Sequence, residues 1–386
     1  MEYIKLGELS EFIMGQAPNS QYCNKKGEGT PFVKAGQFGV KYPIIDEWTT
    51  KSLKKALKKD VLICVVGATA GKINLGCDCS IGRSVSAIRC NEKKLDHVYL
   101  YYYLKTWITK IRQQSQGSAV GVITKEMLND IIIPVVTLSE QNRIVTILDK
   151  AQSLINKRKT QIEALDELVK SRFIEMFGDP VVNTKGWEKN ICYNITSKIG
   201  SGATPKGGNS SYKVQGISFI RSMNVHNNKF INKDLAFINK DQAGKLKNVV
   251  VEENDILLNI TGASVARSCI VPSKILPARV NQHVSIIRVN SEKISPIFLV
   301  YQFTNDCYQR FLRNIATNGG ATREAITKQQ LEKLEVILPP IELQNQFADF
   351  VKQVDKLKFE MEKSLKELED NFNSLMQKSF KGELFN

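Results

Sequence analysis

Histidine is almost missing from this chain: His97, His226 and His283 are its only three in 386 residues, and they lie far apart. That scarcity leaves few ligands for a metal centre and few general bases for catalysis. Cysteine is also sparse, with eight residues, too few for a disulfide scaffold. Cys64, Cys77, Cys79 and Cys90 fall in one stretch, but their spacing matches no common zinc pattern, so they read as ordinary thiols. No apolar run approaches the roughly 18 residues needed to cross a bilayer; the longest, such as Val61–Val66 and Ile131–Val136, are far shorter. The opening Met1-Glu-Tyr-Ile-Lys-Leu6 carries no apolar signal-peptide core, so a cytoplasmic chain with no membrane partner is expected. Negative charge is short as well. Asp and Glu total 39 against 54 Lys and Arg, a formal net charge of +15, which favours a polyanionic partner.

The machinery of an enzyme acting on nucleic acid is also lacking. Gly67-Ala-Thr-Ala-Gly71-Lys72 resembles a phosphate loop, but the glycine spacing is one residue short and Ile73 stands where Ser or Thr is required. It reads as a strand-to-loop turn. No glycine-rich cradle for a nucleotide cofactor follows a strand, and no Asn/Asp-Pro-Pro-aromatic segment suits amino-methyl transfer. No acidic pair with Glu-x-Lys suggests a metal nuclease, and no Ser or Cys nucleophile has a visible base. These gaps together favour a binding protein without catalytic, cofactor or metal residues.

What is present is a sequence written twice. Gly15-Gln-Ala-Pro18 returns as Gly202-Ala-Thr-Pro205, displaced by 187 residues, and Gly29–Gln37 aligns with Gly216–Asn224 at the same displacement. Asp60-Val-Leu-Ile-Cys-Val-Val-Gly67 matches Asp255-Ile-Leu-Leu-Asn-Ile-Thr-Gly262, now displaced by 195. Val85–Arg89 matches Val284–Arg288, Ile123-Thr-Lys125 matches Ile326-Thr-Lys328, and Leu138–Asn142 matches Ile341–Asn345 at 203. Six blocks keep their order, so the second copy is the first with insertions.

Each copy has two textures. Residues 1–137 and 181–337 are turn-rich with short β-type runs. Val61–Val66 and Ile256–Ile260 read as buried strands, and Phe32–Ala35 and Phe219–Ser222 as strands ending beside a basic residue. Tyr99–Arg112 and Pro296–Arg313 read as helices with buried aromatics. Residues 138–180 and 338–386 carry apolar residues near a 3.5-residue period. In the first copy these include Ile144, Leu148, Ile155, Ile162, Leu165 and Phe173; in the second Phe347, Val351, Val354, Leu357, Met361, Leu365, Leu368 and Phe372. About 40 helical residues would span about 60 Å. A helix of that length with one apolar seam needs a partner, and its repeat is the nearest candidate. The expected fold is therefore α/β in the α+β sense: two tandem repeats, each a globular mixed-sheet domain followed by a long helix, the helices pairing as an antiparallel coiled coil. The alternative is two helices each packed on its own domain.

Candidate DNA-reading residues cluster at strand ends and loops. Lys34 and Gln37 in the first copy correspond to Arg221 and Asn224 in the second. Arg or Lys pairs with guanine and Asn or Gln with adenine through two-point major-groove contacts, so a swap of type would change the base read. Thr69 and Lys72 match Ser264 and Arg267; Arg83 matches Arg279 and Gln282; Gln116 and Ser118 match Asn318, Thr322 and Arg323. Such tips suit phosphate contacts that position without reading sequence.

These blocks resemble the specificity subunits of type I restriction–modification systems, the HsdS family, over essentially the whole chain. The carrying motifs are Asp60–Gly67 and Asp255–Gly262, the runs Gly117–Lys125 and Gly319–Lys328, and the helix approaches Ile131–Gln141 and Val336–Gln344. The helix ends Lys170–Phe173 with Met176–Asp179, and Gln377–Leu384, resemble the family too. Val135-Val-Thr137 departs from the family's usual Leu-Pro-Pro. The resemblance implies two target recognition domains, each reading half of a split asymmetric site in double-stranded DNA, with half-sites near one duplex turn, about 34–36 Å, apart. It implies helices that space the domains and dock two methyltransferase subunits, through which two restriction–translocase subunits join. S-adenosylmethionine, ATP and Mg²⁺ would be bound by those partners. The competing expectation is a helical scaffold with incidental DNA contact; a solitary methyltransferase or nuclease has no motif behind it.

Overall fold

The computed structural model describes residues 1–115, 121–317 and 324–384. The chain forms two compact units: unit 1 joins Met1–Lys159 to Lys363–Asn386, and unit 2 is Thr160–Glu362. The main strands of unit 1 are β1 (Ser10–Met14), β2 (Thr30–Val33), β3 (Asp60–Cys64), β4 (Ile73–Leu75), β5 (Cys79–Ile81) and β6 (Val85–Cys90). Its main helical segments are α1 (His97–Ser115), the first half of α2 (Leu138–Phe177) and the C-terminal helical segment from Lys363. In unit 2 the strands are β7 (Thr196–Ser201), β8 (Ile217–Ile220), β9 (Ile256–Asn259), β10 (Ser268–Ile270), β11 (Ala278–Val280) and β12 (Val284–Val289). They are followed by α3 (Pro296–Thr304), α4 (Asp306–Thr317) and α5 (Ile341–Lys381).

The two units repeat one topology. An antiparallel sheet runs β1-β6-β3-β4 in unit 1 and β7-β12-β9-β10 in unit 2. Beside it, a second sheet pairs β2 with β5 and β8 with β11, each pair parallel. Every residue of β3 and of β9 is buried, as expected of apolar runs covered on both faces.

The repeated motifs have structural causes. Asp60 opens β3 and lies opposite Arg89 of β6; Arg89 donates from Nε and Nη2 to its two carboxylate oxygens at 3.0 and 2.9 Å. Asp255 and Arg288 repeat this fork at 2.8 and 2.9 Å. The carboxylates also accept the backbone amides of Leu57 and Glu252, at 2.8 and 2.7 Å. Gly67 and Gly262, which close the same motif, have φ of +82° and +68°, a left-handed turn that favours glycine. At Gly15 and Gly202 the reason is space: an added Cβ would lie 2.1 Å from the Gly82 carbonyl oxygen or 1.8 Å from that of Val280.

The starts of the long helices are stapled alike. Gln141 and Gln344 are fully buried. The Gln141 side chain accepts from the Asp96 amide and donates to the Lys94 and Val136 carbonyls. Gln344 accepts from the Ser295 amide and donates to the Pro339 carbonyl. Gln141 thus ties α2 to the segment just before α1, and Gln344 ties α5 to the segment just before α3, in sites where an unpaired amide would be costly.

Each long helix contributes one half to each unit. In unit 1, Ile144, Leu148 and Ile155 join Phe372 and Phe380 in the core, with Leu365 and Leu368 packed against it. Lys159 pairs with Glu369 at 2.8 Å. Four tyrosines of α1 fill the same core. Tyr99 and Tyr103 donate to the Pro134 and Ile132 carbonyls at 2.7 and 2.5 Å, Tyr102 donates to Asp149, and the Tyr99 and Tyr103 rings meet Phe380 edge-on. In unit 2, Leu165, Phe173, Phe347, Val351 and Val354 are core residues, and Met361 packs on them. There Phe347 meets Phe173 and Phe177, while Lys358 pairs with Asp166, so the helices run antiparallel.

Three expectations need correction. Leu357 is not in the seam: it is 47% exposed, because at 100° per residue the inward place next to Val354 falls to Lys358. Ile162 is only half-buried. The helix expected over Pro296–Arg313 is two helices. Asn305 is extended (φ −61°, ψ 138°), and its side-chain oxygen accepts the Cys307 and Tyr308 amides, starting α4 afresh.

Two stability contrasts are expected. In urea unfolding, Asp255→Asn lowers stability by about 2 kcal/mol, since it removes a charged acceptor from a buried network. Glu92→Gln, which breaks the exposed Lys59–Glu92 pair, changes it by less than about 0.5 kcal/mol. Phe347→Ala costs about 3–5 kcal/mol, whereas Leu357→Ala stays within about 0.5 kcal/mol; equal costs would mean that the seam is misassigned.

Candidate nucleic-acid interface

One end of the paired sheets gathers the loops in each unit. In unit 1, the turn Ala35–Gln37 after β2 donates a hydrogen bond from the Ala35 amide to Ser84 Oγ at 3.3 Å. The Val65 amide donates to the Ser84 carbonyl, and the Gln16 amide to the Ile81 carbonyl. The segments after β1, β2, β3 and β5 therefore converge. In unit 2, the Ile260 amide donates to the His283 carbonyl and the Asn281 amide to that of Ile220. There Asn259 Nδ2 donates to the Ser222 carbonyl and the Thr204 amide to Gln282 Oε1. Four segments from distant sequence positions so form one surface in each repeat. The register of the two sheets brings them together.

Within unit 1, Lys72 and Arg83 are exposed tips, and Thr69 is half-buried in the turn, its carbonyl accepting the Lys72 amide. Lys34 is tied to Glu47 by an ion pair and lies over the Phe32 ring, 5.5 Å from its centroid. In unit 2, Ser264 and Arg267 are half-buried in the matched turn, with the Arg267 amide donating to the Ser264 carbonyl. Gln282 is exposed and caps the Thr204 amide at 2.8 Å. Arg221 and Arg279 are half-buried. Arg221 donates to the Asp234 carbonyl, and its Cζ lies 5.5 Å from the Tyr212 ring centroid. Arg279 donates from Nη1 to the Ala278 carbonyl at 2.8 Å, and burial lowers its guanidinium pKa. Gln116, Ser118, Asn318, Thr322 and Arg323 lie outside the described residues.

Two of the predicted base readers are instead turn-formers. Asn224 is fully buried: its side-chain oxygen accepts the Arg221 amide at 3.0 Å, and its Nδ2 donates to the Ile231 and Lys233 carbonyls. Gln37 does the same for Lys34, at 3.0 Å, and spends its Nε2 on Asp46. Both ends of each amide are used, so neither has a free two-point edge for adenine. The signal was in the pattern, because a carboxamide three residues after the strand-end residue, in both copies, is the spacing of a turn cap. Sequence reasoning also passed over Tyr212, which stacks on Arg221, and His283, whose Nδ1 lies 2.6 Å from Thr261 Oγ1. It missed Glu47 and Asp46, the acids that occupy Lys34 and Gln37. Nothing local in sequence distinguishes these from ordinary surface residues.

Among the described residues, no group of three or more His, Cys, Asp or Glu is placed to hold a metal ion, and no helix is long and apolar enough to cross a membrane. What the surface offers is polar turns and basic side chains. Such groups form hydrogen bonds to phosphates and base edges.

Comparison with known proteins gives the family of the chain. Residues 1–164 and 193–370 match the family described as type I restriction modification DNA specificity domain. The MjaVIII type I restriction enzyme specificity subunit of Methanocaldococcus jannaschii is 23% identical over 370 residues, covering 92% of this chain and 86% of that protein. The EcoBI specificity subunit of Escherichia coli is 23% identical over 336 residues, 79% of this chain and 69% of that one. The fold is shared with a solved chain from a study of assembly and conformational transition in the type I restriction–modification system. That chain has a TM-score of 0.64 and 17% identity, with 99% of this chain and 98% of that one covered. The S subunit from M. genitalium has a TM-score of 0.59 and 15% identity, covering 98% of this chain and 96% of that one. With both repeats matched by the same domain, the chain belongs to the type I restriction modification DNA specificity domain family.

Proposed function

We propose that this chain is the DNA specificity subunit of a type I restriction–modification complex, each unit reading one half of a bipartite, asymmetric site in double-stranded DNA. The observation that carries the reading is the convergence, in both repeats, of four strand-end segments into one loop surface bearing basic side chains: Lys72 and Arg83 in unit 1, Arg221, Arg267 and Arg279 in unit 2. The net charge of +15 supports it. In this reading the chain is not itself an enzyme. Two methyltransferase subunits dock on the long helices, two restriction–translocase subunits join through them, and S-adenosylmethionine, ATP and Mg²⁺ are bound by those partners. The helices act as the spacer between half-sites.

Two outcomes are expected. Binding of a cognate duplex by the assembled complex weakens steeply with salt, log K falling linearly with log salt concentration at about 0.9 per phosphate neutralised. A flat salt response would instead favour a scaffold with incidental DNA contact. Leu165→Pro breaks the α2 helix at a cost of about 3 kcal/mol or more and abolishes co-purification with the methyltransferase subunit; an unchanged complex would remove the docking role.

A further inference from the structure

The repeats carry different chemistry at one matched point. In unit 2 the parallel pair β8 and β11 sets Phe219 opposite Arg279, and Arg221 follows Phe219 by two residues, so both guanidinium groups belong to one face of the sheet. Tyr212 covers that face, its ring 5.6 Å from the Phe219 ring and 5.5 Å from Arg221 Cζ. Neither arginine has a carboxylate partner among the described residues. The Nε of each is shielded from water and has no acceptor. Half-burying a guanidinium without an anion or a full set of acceptors is costly until an acceptor arrives.

Unit 1 differs at the same point. The pair β2 and β5 sets Phe32 opposite Ser80, so Ser80 stands in the place of Arg279, and Arg83, matched to Arg279 and Gln282 on sequence, corresponds to Gln282 alone. Lys34 stands in the place of Arg221 and is already neutralised by Glu47. At these matched sheet positions, unit 2 therefore holds two cations without a carboxylate partner among the described residues, and unit 1 holds only the paired Lys34.

We propose that unit 2 reads a guanine through Arg279, with Arg221 held beside it by Tyr212, and that the matched face of unit 1 reads no guanine. The inference rests on the specificity-subunit reading and deepens it. Guanine presents two acceptors, N7 and O6, to one guanidinium fork. Arg279 commits only Nη1, to the Ala278 carbonyl, and so keeps Nε and Nη2 for that edge once the side chain turns outward. Its place on a strand limits its reach, whereas phosphate contacts suit exposed tips such as Lys72 and Arg83.

Methylome sequencing of hosts carrying the complete complex, with the wild-type chain, Arg279→Lys or Arg279→Ala, decides the matter. The wild-type motif is expected to contain a guanine in one half. Both variants relax that position, with a loss of preference of about 5- to 150-fold, and leave the other half unchanged. Lysine keeps the charge that a phosphate contact needs but not the two-point fork. A full wild-type motif under Arg279→Lys overturns the proposal, as does uniform weakening at every site, loss of all modification in both variants, or a motif with no guanine in either half. If only Arg279→Ala is inactive, the lysine variant decides. Absence of any bipartite motif from the wild-type complex would instead overturn the functional reading itself.

Discussion

The forked pairing of a buried aspartate with an arginine on the next strand is the constraint from which the rest of each unit follows. Asp60 faces Arg89 and Asp255 lies beside Arg288, each through two hydrogen bonds, with the acid at 1% and 0% exposure. A buried ion pair is a poor source of net stability, because desolvation offsets much of the attraction. Its value here is register. A slip of one residue would turn every side chain of β3 or β9 to the other face and leave a carboxylate buried without its partner. With the strand start held, the left-handed turn at Gly67 or Gly262 comes at a set distance, and the loops beyond it meet the other strand-end segments.

A second constraint holds the long helices. The buried carboxamides of Gln141 and Gln344 satisfy the backbone where the chain leaves the sheet domain, so that α2 and α5 start in a defined direction. The apolar faces are then divided. Ile144, Leu148 and Ile155 serve the core of unit 1, and Leu165, Phe173 and Phe177 that of unit 2. Neither long helix belongs to one domain alone, and each compact unit is completed by helical residues from both copies of the repeat.

Against this duplicated frame the loop chemistry has diverged. Carboxamides at matched positions, Gln37 and Asn224, still perform the same turn-forming task. The neighbouring cations have parted: Lys34 is neutralised by Glu47, while Arg221 stacks on Tyr212 on the sheet face it shares with Arg279, and neither arginine forms an ion pair among the described residues. A scaffold repeated in topology and varied in its charged tips suits two readers of different short sequences.

Much was legible from the chain alone. The duplication, the strands read at Val61–Val66 and Ile256–Ile260, which form as Asp60–Cys64 and Ile256–Asn259, and the two long helices rest on local pattern, because burial on both faces, helical periodicity and glycine at a left-handed turn each leave a mark in order and spacing. The site was legible only in part. Sequence placed basic residues on loops, but it could not say that Lys358 displaces Leu357 from the seam or that Glu47 silences Lys34. Those outcomes depend on which distant side chains meet once the sheets are in register. Partners that share no sequence neighbourhood are chosen by tertiary packing, and whether a charge is free or compensated is decided there.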